Sequence, residues 1–100
     1  MVLYNVTMNV DKRIESDWLQ WMKTIHIEKM IATGHFVECK VFELLSDEPQ
    51  GTTYSVQFFA KNEEDILAFQ ESLGEQFHHE IISKYGDSVM LFRTMLKQVH

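Results

Sequence analysis

Four changes of hydrophobic period within 100 residues constrain this chain more than any single motif. Val2, Tyr4, Val6, Met8 and Val10 alternate with Leu3, Asn5, Thr7 and Asn9, the period of a half-buried strand. From about Ile14 the spacing becomes helical, through Trp18, Trp21, Met22 and Ile25, with Lys23 and Lys29 turned outward. Glu15 and Asp17 oppose the positive end of that helix, and Gly34 is placed to end it in left-handed backbone. Strands are then expected at His35–Leu45 and Thr52–Ala60, joined by a hairpin loop over Ser46–Gly51 in which Pro49 fixes φ and Gly51 tolerates positive φ. Asn62 is an N-cap with Glu63, Glu64 and Asp65 in the first turn behind it. The helix it opens carries the stripe Ile66, Phe69, Leu73, Phe77 and Ile81 and closes at Tyr85-Gly86. Gly74 inside that stripe costs about 1 kcal/mol relative to alanine, which points to a kink or a close backbone approach. Val89–Val99 is the last strand.

The order is strand, helix, strand, strand, helix, strand. Right-handed crossovers then favour an antiparallel sheet in the order 4-1-3-2 with two helices on one face, an α+β fold of the ferredoxin-like βαββαβ type. At 11.8 kDa, residues 1–100 are expected to form one domain. Both faces of its outer strands are apolar. Phe36, Phe42 and Leu44 oppose Val37, Cys39, Val41 and Leu45, while Leu91 and Met95 oppose Met90, Phe92 and Leu96. Two helices cover one face, so the open sheet face is expected to be covered by a second copy in a symmetric homodimer.

Composition narrows the partners. A net charge of −6 argues against nucleic acid and anionic membrane, which attract basic patches. The RNA-recognition motif is also missing, since only Tyr54 among the residues after Gly51 falls at one of its aromatic positions. The single cysteine, Cys39, excludes an intramolecular disulfide and a thiolate zinc cluster, and with no signal-peptide pattern at the start the expected location is the cytoplasm. No apolar run approaches the roughly 18 residues of a membrane span. No glycine-rich phosphate loop, dinucleotide fingerprint or nucleophile elbow occurs, and no cofactor is expected.

Five residues could contact a ligand. His26, one turn after Met22, titrates near neutrality and could serve as acid or base; the alternative is a helix histidine packed on the sheet. Arg93 interrupts an apolar strand face and must meet a ligand anion or an acid such as Glu38, Glu43 or one on a partner chain. Asn5 and Gln57 share the polar phase of neighbouring strands and could orient a ligand carbonyl or bond to one another, while Tyr4 and Tyr54 take the opposite phase. Trp21, a turn from Trp18, either borders a cavity or belongs to the core. His78 and His79 point about 100° apart and read as a solvated helix face, so no metal site is expected.

Tyr4-Asn5-Val6-Thr7, Trp18 to Met22 with His26-Ile27, Ala32-Thr33-Gly34, Tyr54 to Phe58 and Phe92-Arg93-Thr94 occur in an order that resembles a family of short bacterial proteins of unknown function. That family lies within the dimeric α+β barrel (ferredoxin-like) superfamily. The resemblance implies a dimer and a cavity between sheet and helices; the wider superfamily includes cofactor-independent monooxygenases, haem-degrading enzymes and isomerases, so no one reaction follows. Two functions fit: a dimeric barrel that binds a small apolar or planar metabolite between sheet and helices, or a non-catalytic structural or interaction dimer without a ligand. A cavity of a few hundred Å³ lined by His26 or Arg93 distinguishes the first from a filled core.

Overall fold

The computed structural model describes residues 1–46 and 49–100, so Asp47 and Glu48 of the expected hairpin loop lie outside the described residues. Strands β1 (Val2–Asp11), β2 (Glu38–Glu43), β3 (Gly51–Ala60) and β4 (Val89–Lys97) form one antiparallel sheet in the order β2-β3-β1-β4, the expected 4-1-3-2 order read in reverse. Helix α1 spans 15–32 and helix α2 spans 63–85. Trp18, Met22 and Met30 of α1 and Ile66, Phe69, Phe77 and Ile81 of α2 are buried in one core with Tyr4, Val6, Met8 and Val10 of β1. Alternate β1 residues thus meet both helices on one side of the sheet, which is the ferredoxin-like arrangement.

The helix ends follow the local chemistry. Asn62 Oδ1 accepts from the Asp65 N–H at 3.0 Å, capping α2. Gly34 at φ +85° and Gly86 at φ +55° follow the two helices in backbone that a β-carbon would strain. Gly51 differs from expectation. It does not use positive φ but opens β3, where an added Cβ would stand 2.7 Å from Asn9 Oδ1. Gly74 is not at a close approach, because the nearest atoms to a Cβ there are at 3.8 Å.

Each helix contains a π-helical stretch, Met22–His26 in α1 and Gln70–Gly74 in α2. The extra residue in such a turn advances the phase of everything after it. Ile25, expected inward, is therefore 47% exposed, and His26 takes its place in the core at 3%. The second correction concerns β2, which starts at Glu38 instead of His35. Phe36 precedes the strand, lies in the core with its ring centroid 5.0 Å from Phe69, and so shares the helix side with Cys39 and Val41 and not the side of Phe42.

A polar tie fixes α1 to the sheet. Glu15 accepts from Tyr54 Oη at 2.5 Å and from Thr52 Oγ1 at 2.9 Å, and these bonds hold the carboxyl below its usual range. Tyr54→Phe deletes a hydrogen bond to a charged acceptor and is expected to lower unfolding free energy by about 1.5 kcal/mol in urea titration; an unchanged midpoint would refute the tie.

Candidate functional site

Tyr4 and Met8 on β1 and Leu91 and Arg93 on β4 face His26 and Met30 of α1 and Phe69, Gly74, Phe77 and His78 of α2 across a cavity of about 20 Å³. That is room for about one water molecule, not the few hundred Å³ that a metabolite pocket would offer. Wider depressions of about 510 and 450 Å³ lie at the ends of the sheet, but none of the buried unpartnered side-chain atoms belongs to their linings.

The polar groups of the cavity are few. His26 lies between Trp21, tilted against it at 5.0 Å, and Phe77, edge-on at 5.7 Å, and its Nδ1 is buried without a partner. Burial holds the His26 imidazole down at a pKa of about 4; Glu80 opposes this shift and Lys29 adds to it. His78, half-buried instead of solvated, brings a second buried Nδ1 without a partner. His79 is exposed and bonds Ser83, as a helix-surface histidine should. Arg93 Nη2 lies 3.8 Å from Glu75 Oε1 on α2, so its acid is neither Glu38 nor Glu43. Burial raises the Tyr4 phenol, and the neighbouring Arg93 guanidinium pulls the other way.

Of the five expected contact residues, the cavity collects two, His26 and Arg93. Trp21 stands behind His26, in edge contact with Tyr85 and with Lys84 Nζ 5.9 Å above its ring. Asn5 and Gln57 are register partners on the opposite face of the sheet. There Asn5 donates to Thr7 at 3.1 Å and to Thr94 at 3.2 Å, while Ser55 Oγ donates to Asn5 Oδ1 and accepts from Gln57 Nε2. The two amides are joined through Ser55 and do not converge on the cavity. Tyr4 and His78 complete the polar lining; strand parity marks Tyr4 as inward, but nothing in the sequence marks His78. Cys39, its thiol pushed up to about 12 by burial, is a poor nucleophile. Among the described residues no group of three or more His, Cys, Asp or Glu converges as a metal site, and no helix is long and apolar enough to cross a membrane.

The neutral His26 has a consequence for stability. Its folded pKa of about 4 lies below the unfolded value of 6.5, so between those values the unfolded chain binds more protons. The stability present above pH 6.5 is therefore lost as pH falls toward 4, by ~3 kcal/mol if the whole shift is realised. His26→Phe, an apolar ring for the same slot, should flatten that part of the pH profile in thermal unfolding. An unchanged slope would remove His26 as its source.

The sheet order and the two helices on one face define the class of this molecule as a ferredoxin-like α+β protein. Within that class the chain belongs to the DUF4286 family, a domain of unknown function whose model matches residues 1–99. No curated protein matches it. Among solved structures it is similar to HapK from Hahella chejuensis, with TM-score 0.69 at 10% identity over 99% of this chain and 93% of that one. A candidate antibiotic biosynthesis monooxygenase from Nitrosomonas europaea gives TM-score 0.67 at 12% identity over 100% of both chains. A de novo designed protein with ferredoxin fold gives 0.51 at 12% identity, over 100% of this chain and 89% of that one. Identities this low carry the fold alone.

Proposed function

We propose that this protein works as a homodimer closed through its open sheet faces, with the cavity around His26 and Arg93 as a binding site for a small molecule. One observation carries the ligand reading: a buried imidazole nitrogen without a partner shares a largely apolar cavity with a guanidinium whose nearest carboxylate among the described residues is 3.8 Å away on an exposed side chain. Buried polar groups of this kind are expensive unless something bonds them. The dimer rests on Phe42, Met90, Phe92 and Leu96, which are 52%, 71%, 61% and 46% exposed on the face away from the helices. Exposed apolar side chains on both outer strands of that face favour association.

The alternative function, a dimer without a ligand, is favoured by the cavity volume of about 20 Å³. Native mass spectrometry of freshly purified protein separates the readings. A dimer with a retained or exchangeable small molecule is the expected result; a dimer that gains no mass from any small acid, amide or alcohol leaves the ligand-free reading. A monomer at all concentrations removes the association itself.

A further inference from the structure

We propose that the cavity selects a small planar oxyanion, a carboxylate of only a few heavy atoms, held by the Arg93 guanidinium with the Tyr4 hydroxyl beside it and met inside by Nδ1 of His26 and His78. This rests on the cavity being a ligand site and names its chemistry. Charge gives the first reason. Among the described residues Arg93 is the only Lys or Arg of the lining, which contains no described Asp or Glu, and its side chain is 31% exposed. Its nearest acid among the described residues, Glu75, has a side chain 88% exposed, and an ion pair so solvated neutralises the guanidinium weakly. The planar fork of arginine matches the two oxygens of a carboxylate.

The second reason is hydrogen bonding. The raised Tyr4 phenol stays protonated near neutrality and can donate to an oxyanion. His26, held neutral by burial, presents one N–H, and as the Nδ1 tautomer it would offer it to an acceptor; the Nδ1 of His78 is likewise buried without a partner. Size gives the third. About 20 Å³ is room for one water-sized group, so only an oxygen of the carboxylate enters and the rest of the ion stays at the mouth, where the Arg93 side chain is 31% exposed. Gly74 leaves this wall without a side chain, and a β-carbon there would sit at ordinary contact distance from Gln70 and Phe69, 3.8 Å from each.

The test compares sodium acetate with acetamide, which has the same shape without the charge, at pH 7.5 and constant ionic strength. The imidazole resonances of His26 and His78 are followed by NMR. Acetate is expected to saturate at a concentration at least tenfold below acetamide. Arg93→Met should bring acetate to the level of acetamide, and Arg93→Lys should restore only part of the difference. Gly74→Ala supplies a variant whose folding is not in question, since alanine is the better helix former; it should keep or raise Tm while weakening acetate several-fold. Equal binding of acetate and acetamide, or undiminished acetate binding by Arg93→Met, overturns the anion assignment and leaves a ligand cavity of another chemistry. If neither compound, nor any other small molecule tried, moves either imidazole, the cavity is not a ligand site and both readings fail.

Discussion

Phe69→Ala is expected to cost about 3–5 kcal/mol of folding stability, a large part of what a chain of this size possesses. Phe69 is fully buried, and its ring centroid lies 5.0 Å from Phe36, 5.5 Å from Tyr4 and 5.7 Å from Phe77. Those rings come from β1, from the approach to β2 and from α2. Truncation therefore removes edge and tilted aromatic contacts to two other segments of the fold, in addition to the apolar area itself. The hole would adjoin the existing cavity, and a close-packed interior collapses only partly around such a loss. At roughly 4–8 °C per kcal/mol for a domain of this length, Tm should fall by at least about 12 °C. Leu67→Ala, on the 43% exposed outer side of the same helix, should stay within about 0.5 kcal/mol. Protein concentration must be matched between variants, because the proposed association would add to stability by mass action. A loss below about 1.5 kcal/mol for Phe69→Ala would show that the rings do not form the packed centre of the fold.

How much of this could be read beforehand depended on which residues report a period. Alternation in Val2 to Val10 and the stripe Ile66 to Ile81 fixed strand and helix faces, because side-chain direction repeats with a known spacing. Asn62, Gly34 and Gly86 marked ends for reasons local to the backbone. The π-helical turns left no such mark. Their extra residue shifts phase without changing composition, so the spacing turns Ile25 inward, whereas the structure exposes it and puts the candidate His26 in the core. Phe36 precedes β2, which begins three residues later than the alternation suggests, so strand parity does not govern its side. The candidate site was legible only in part, for a related reason. Parity separated Tyr4 from Asn5 correctly, but the acid beside Arg93 and the half-buried His78 both come from α2, and only the tertiary fold shows which of its residues lean over β4.

Phe92→Glu is expected to convert a dimer into a folded monomer, weakening association at least 100-fold. Register places Phe92 opposite Thr7, and Thr7 opposite Ser55, which pairs with Phe42; the row two residues away runs Thr94, Asn5, Gln57, Lys40. The open face thus has a polar centre with Phe42 and Phe92 on its two outer strands. That centre is already bonded within one chain, since Asn5 donates to Thr7 and Thr94 and accepts from Ser55, so covering it strands few polar atoms. The apolar flanks supply the driving force. A two-fold interface contains every substitution twice, so a carboxylate at position 92 would be desolvated on both copies without a partner. A cost of only about 1.4 kcal/mol per copy already gives the 100-fold loss. The monomer should keep its fold, because Phe92 is 61% exposed and lies on the side of the sheet away from the helical core. Sedimentation equilibrium across a hundredfold concentration range, with circular dichroism on the same samples, reads both quantities. A dimer of undiminished affinity would place the interface elsewhere, and a wild-type chain sedimenting near 11.8 kDa throughout would show that the face stays open.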